Sequence, residues 1–202
     1  MCIRDSYPHN ANRRRMALAC ERSLGRLRTD RIDLYLLHWR SGPTPLHEIV
    51  EGFEQLRGEG KIVRWGVSNF DVDDLEELAR SDCAVNQVLY NPEHRGIEHD
   101  LLPWCAQRRL PIMAYSPLGQ GGRLLSSPVL EQIGRRHAAT AAQVALAWVL
   151  RDGKVLAIPK ATDLAHLRSN VAALELQLKA EDLAEIDAAF APPRRKRSLD
   201  ML

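Results

Sequence analysis

Along most of this chain, short apolar runs ending on polar residues alternate with stretches of helical periodicity. Ile32–Leu37 runs into His38-Trp39, Ile62–Val67 into Ser68-Asn69, and Ala84–Asn86 into Gln87. Leu110–Tyr115 runs into Ser116, and Val155–Ile158 into Pro159-Lys160. These runs predict strands over 31–38, 62–67, 84–88, 110–115 and 154–158. Between them, Met16, Leu18, Ala19, Cys20, Leu24 and Leu27 mark an amphipathic helix from Asn12 to Leu27. Ile49, Val50, Phe53 and Leu56 mark another, from about Leu46 to Arg57. Asp71-Val-Asp-Asp74 supplies an N-cap and first-turn acids for a helix over 72–80, and Thr140-Ala-Ala-Gln143 is a capping box opening one over 141–151. Further helices are expected near 98–108 and over 128–137, 163–173 and 181–190, followed by a tail rich in Pro and Arg.

Strands alternating with helices argue for a parallel α/β sheet, and near-continuous apolar strands argue that both of its faces are covered. Five strand–helix units are expected. A closed parallel barrel needs eight units and typically about 250 residues, so the chain reads as about five-eighths of one. Its first and last strands, 31–38 and 154–158, would then be unpaired apolar edges, which template association. In such barrels the C-terminal strand ends gather on one face, and that face carries the chemistry. An open doubly wound sheet is the alternative. Gly119-Gln-Gly-Gly122 does not supply its phosphate-binding fingerprint, since the spacing is wrong and a loop follows instead of a helix.

Composition narrows the function further. A chain of 202 residues, 45% hydrophobic and 27% charged, suits one sizeable core. A formal net charge of +2 gives no long-range field that would favour nucleic acid. Cys2, Cys20, Cys83 and Cys105 show no C-x-x-C pairing, which argues for reduced thiols in a cytoplasm and against a disulfide framework or a metal site. No apolar stretch approaches the roughly 18 residues of a membrane span. Arg194-Arg-Lys-Arg197 reads as a solvated tail.

The strings DLYLLHW (33–39), GKIVRWGVSNF (60–70), NQVLYN (86–91), AYSPLGQG (114–121) and IPKAT (158–162) follow one another in this order. In that order they resemble the aldo-keto reductases, which reduce aldehydes or ketones to alcohols with NADPH or NADH on a (β/α)8 TIM barrel. The resemblance runs from about Tyr7 to Leu202. It implies that His38 orients a carbonyl substrate, with Trp39 on the substrate side. It implies also that Ser68, Asn69 and Gln87 meet the nicotinamide carboxamide, a neutral group suited to neutral donors and acceptors, and that Tyr115 stacks on the nicotinamide ring. The resemblance further places Ser116, Leu118 and Gly119 in a loop that folds over the pyrophosphate, Lys160 at the phosphates, where a cation and a helix N-terminus favour an anion, and Asn170 at adenine. His166 stands where the family places an arginine for a 2′-phosphate, with Arg168 two residues on, so NADP is expected and NAD stays open. The implied partner is a small-molecule carbonyl compound, with no nucleic acid or membrane, and the parent enzyme is a monomer.

Each of these residues also has a structural reading: His38 as a satisfied core histidine, Ser68 and Asn69 as helix caps, Gln87 as a buried amide, and the Gly119 loop as plain surface. Of the family's catalytic aspartate, tyrosine, lysine and histidine, only the histidine is matched, by His38. The lysine position falls on Asp5. Residues 1–6 match nothing in the family and read as a non-native leader, with residues 7–202 forming the partial barrel domain and an inactive fragment expected. A non-catalytic dinucleotide-binding module of the same superfamily is the competing reading. Other barrel hydrolases would need paired carboxylates or His/Asp clusters at the strand ends, and none is seen there.

Overall fold

The computed structural model describes residues 2–6, 12–40, 44–78 and 82–202. The chain divides into two compact units, residues 1–87 and 88–202.

In the first unit, β1 (Cys2–Ser6), β2 (Ile32–Leu37), β3 (Ile62–Ser68) and the start of β4 (Asn86–Leu89) lie parallel in chain order. Helices α1 (Arg13–Leu27), α2 (Leu46–Gly58) and α3 (Val72–Glu77) connect them. β1 is one strand more than the sequence predicts. It pairs along β2 at Cys2↔Leu34, Ile3↔Tyr35 and Ser6↔Leu37, so β2 has a neighbour on either side and is not the expected open edge. The residues Tyr7–Asn10, where the resemblance begins, and 79–80, the expected end of the third helix, lie outside the described residues. Tyr35, Phe53 and Trp65 form the aromatic centre of this unit's core. All three are fully buried, Phe53 is stacked on Trp65 at 5.0 Å, and the Trp65 indole donates to Glu54 at 2.7 Å.

In the second unit, β5 (Ile112–Tyr115) and β6 (Val155–Ala157) pair in parallel. They are accompanied by α4 (Leu101–Gln107), α5 (Pro128–Arg136), α6 (Ala141–Leu150), α7 (Leu164–Ala172) and α8 (Ala180–Ala189). The helix expected near 98–108 is split into a 3-10 turn, Gly96–Glu98, and α4, which Asp100 caps by accepting from the Leu101 amide. α6 opens on the expected capping box: Thr140 accepts from the Gln143 amide, and Gln143 from the Thr140 amide. It is apolar around its circumference, and Val144–Val149 are all buried, the pattern of a core helix.

α7 is the reverse case. Leu164, Leu167, Val171 and, just past its end, Leu174 recur at spacings of three and four, yet stand 67%, 50%, 57% and 65% exposed. None of the helix's residues is buried. Leu156 and Ile158, in and just after β6, are also exposed. Since Leu167 contributes exposed surface rather than core, Leu167→Glu should change stability by less than about 0.5 kcal/mol while reducing self-association. Sedimentation velocity across a concentration series would show this, and unchanged association would contradict it.

Candidate functional site

In the first unit the site is set by strand register. Leu37 pairs with Val67, Val67 with Asn86 and Ser68 with Gln87, so His38, Ser68 and Gln87 stand level at the C-terminal ends of β2 and β3. Gln87 is the second residue of β4 rather than its last; it is at the level of the site because β4 begins where β3 ends. The Ser68 hydroxyl, fully buried, donates to the Gln87 carbonyl at 2.8 Å, and the Asn69 amide donates to the same oxygen at 2.8 Å. Asn69 has φ +59°, a left-handed conformation that asparagine tolerates better than most residues and that clusters at functional sites. From there its side-chain Nδ2 donates to the His38 carbonyl at 3.3 Å.

The turn after Asn69 is fixed by a residue the sequence reading passed over. Asn86, fully buried, donates through Nδ2 to the Phe70 carbonyl at 2.8 Å and accepts from the Phe70 amide at 3.4 Å. Its signal was present in the string NQVLYN, where two amides precede an apolar run. His38 and Trp39, both half-buried, meet edge to face with ring centroids 4.2 Å apart. Ser68, Asn69, Asn86 and Gln87 are all neutral, so what this end of the unit offers a ligand is hydrogen bonding, not charge.

In the second unit, Tyr115 ends β5 half-buried, and Ser116 turns the chain at φ +47°. The Ser116 carbonyl accepts from the side chain of Asn91 at 2.9 Å and from the Gly119 amide at 3.0 Å. Asn91, fully buried and also missed from sequence, accepts through Oδ1 from the amides of Glu93 and His94 and so ties two loops together. Leu118 leads into a 3-10 turn, Gly119–Gly121. Gly119 has φ +59°, and a Cβ there would stand 3.0 Å from the Cβ of buried Leu124, so backbone and packing both favour glycine.

Lys160 lies exposed between β6 and the N-cap of α7. Among the described residues neither Lys160 nor Arg168 has an ion-pair partner, which leaves both charges available to an anion. His166 is engaged at the N-cap of its own helix. Its amide donates to Asp163 at 2.8 Å, and its Nδ1 lies 2.9 Å from the other oxygen of that capping carboxylate. Asn170 is half-buried near the end of α7. Among the described residues no group of His, Cys, Asp or Glu could hold a metal ion, and no helix is long and apolar enough to cross a membrane.

Comparison with known proteins gives these positions a context. A profile of the aldo/keto reductase family matches residues 4–191. Methylglyoxal reductase YeaE of Escherichia coli strain K12 is 50% identical over 204 residues, which cover 97% of this chain and 72% of that protein. Glyoxal reductase of Bacillus subtilis strain 168 is 40% identical over 173 residues, covering 84% of this chain and 61% of its own length. An aldo-keto reductase from Klebsiella pneumoniae, solved in complex with NADPH, superposes with a TM-score of 0.94 at 50% identity over 97% of this chain and 72% of its own. Parallel strand–helix units, the ordered strings that contain His38, Asn69, Gln87, Tyr115 and Lys160, and a family match over most of the residues agree: the chain belongs to the aldo/keto reductase family.

Proposed function

We propose that these residues serve an NADPH-dependent reduction of aldehydes or ketones to alcohols, with small dicarbonyl compounds of the kind named for the 50% identical relative as substrate. The observation that carries this reading is the division of chemistry between the units. Neutral amides and a hydroxyl gather at the ends of β2 and β3, suited to an uncharged carboxamide. Lys160, with no ion-pair partner among the described residues, stands beside the N-terminus of α7, suited to phosphate.

In this reading Asn69 and Gln87 hold the carboxamide, Tyr115 lies against the nicotinamide ring, Lys160 and Arg168 meet phosphate, and His38 donates to the carbonyl oxygen beside Trp39. NADPH, when bound, supplies the hydride. His166, drawn onto Asp163, contributes little to a 2′-phosphate, and Arg168 is the cation left for it. Proton delivery to the carbonyl oxygen needs a donor within about 3 Å. Of the family's four catalytic groups, His38 alone is matched here, so residues 1–202 are expected to bind cofactor weakly and to show no turnover.

The test is NADPH titration followed by tryptophan fluorescence, with half-buried Trp39 as the reporter. Lys160→Ala should weaken binding about tenfold, the value of one charge-assisted hydrogen bond lost, and the dinucleotide should bind more tightly than its mononucleotide half. Undiminished binding by the variant, or turnover of a simple aldehyde by the 202-residue chain, would overturn the assignment.

A further inference from the structure

Beyond the last rung of the β2–β3 ladder, Leu37↔Val67, the chain leaves the sheet as His38, Trp39 and Arg40. Two ties hold this exit. Asn69 grips the first residue through the His38 carbonyl. The third residue grips α3: Arg40 Nη1 stands 2.6 Å from Glu77 Oε2 and 3.2 Å from Asp74 Oδ1, and Nη2 donates to Glu77 Oε1 at 3.3 Å. The guanidinium therefore meets Glu77 with both arms of its fork, a geometry that fixes direction as well as distance.

What Arg40 grips is itself anchored. The second oxygen of Asp74 accepts from the Asp71 amide in the capping box that starts α3, and Leu75 on the same helix is buried. The loop leading into α3 is pinned by the Asn86–Phe70 pair. Trp39 thus lies between His38, whose carbonyl is tied to Asn69, and Arg40, whose side chain is tied to α3, and its ring rests against His38.

We propose that Arg40 is a positioning residue: its fork onto Glu77 and Asp74 holds the His38–Trp39 pair in the orientation that meets a carbonyl substrate. The proposal rests on the substrate-facing role given to that pair above. It separates cleanly from a contribution to folding. The side chains of Arg40, Asp74 and Glu77 are 36%, 32% and 49% exposed, and ion pairs this open contribute little to stability. Orientation can change while the fold does not.

The experiment compares the 202-residue chain with Arg40→Ala, Arg40→Lys and Glu77→Gln, reading the His38 ring protons by NMR. In the parent chain the Trp39 ring current displaces those protons. The displacement should shrink in Arg40→Ala and Glu77→Gln, return in part in Arg40→Lys, and weaken at high salt, which screens an exposed pair and leaves apolar packing intact. The thermal midpoint should stay where it was in all three variants. A second reading adds acetone, an unreactive carbonyl probe, to the chain with oxidised NADP: the His38 response should fall several-fold in Arg40→Ala. If His38 protons in Arg40→Ala match those of the parent, or move only together with a drop in thermal midpoint, the positioning role is overturned. If the parent gives no acetone response while the ring displacement depends on Arg40 as stated, the substrate-facing role of His38 has failed and the bracing by Arg40 stands.

Discussion

Glu98→Ala is expected to destabilise the chain by about 3–5 kcal/mol, the cost of leaving buried charge without its partner. Glu98 is the shared counter-ion of a cluster in the second unit. Its Oε2 accepts from Arg95 Nε and Nη2 at 3.1 and 2.8 Å, and its Oε1 from Arg151 Nη2 at 3.0 Å and from the Tyr90 hydroxyl at 2.6 Å. The two guanidinium carbons lie 4.9 and 3.9 Å from the ring centroid of fully buried Trp148. Arg95 and Arg151 side chains are only 7% and 18% exposed, so solvent does little to screen them once the carboxylate is gone. Arg95 keeps Asp187 and the Phe190 carbonyl, but among the described residues Arg151 keeps Trp148 and Tyr90 near it, with Asp152 at 4.0 Å. Burial pushes the Tyr90 phenol well above its usual range, with Arg151 opposing and Glu98 reinforcing, so this hydroxyl remains a donor at any working pH. Glu98→Gln, which keeps one acceptor oxygen and loses the charge, should fall between the parent and Glu98→Ala. Urea denaturation followed at Trp148 would measure both, and a loss under 1 kcal/mol for Glu98→Ala would show that the two arginines do not depend on it.

Apart from Arg95 and Glu98, three positions apart, that cluster was not visible in the sequence, and the reason is physical. Tyr90 and Arg151 are 61 positions apart and Arg95 and Asp187 are 92 apart; no local rule connects them. What the sequence did carry was local. The capping boxes at Asp71–Asp74 and Thr140–Gln143 and the helical spacing of Met16, Cys20 and Leu24 act over one or two turns, and those helices begin where they were expected. β1 was missed because its pattern is not that of a strand; it is paired along β2, whose edge supplies the partner. The helix over 163–173 was expected, but the sequence did not say what covers its apolar positions, and Leu164, Leu167 and Val171 stand exposed.

The candidate site divides in the same way. The types and order of His38, Asn69, Gln87 and Lys160 were legible in the strings that contain them. The braces were not, because Asn86, Asn91 and Arg40 act through partners on other elements. That His166 turns back onto Asp163 is a local contact, three residues apart at a helix cap, and was missed from sequence.

Gly66 links the core of the first unit to its site, and Gly66→Ala is expected to cost about 3 kcal/mol, the upper part of the range for overpacking. Gly66 sits in β3 opposite Leu36 of β2. A Cβ added there would stand 2.6 Å from the Val85 carbonyl oxygen, 2.7 Å from Val85 Cγ1 and 2.8 Å from Leu36 Cδ2. A side-chain tip can rotate away from such a contact, but a carbonyl cannot. The Val85 carbonyl accepts from the Val67 amide at 3.0 Å, one residue before Ser68, so moving it disturbs the pairing that brings Ser68 and Gln87 level. The substitution should therefore act twice, lowering the denaturation midpoint and weakening NADPH binding in the protein that remains folded. Gly66→Val adds two further methyl groups between packed strands and should prevent folding. The check is urea denaturation of Gly66→Ala alongside its NADPH titration at low temperature, where the folded fraction is highest. Should the variant unfold at the parent's midpoint, β3 and β4 have room to separate and the close packing at Gly66 is not needed. Should it lose stability yet bind NADPH as the parent does, the register at Ser68 and Gln87 is not what shapes the nicotinamide end of the site.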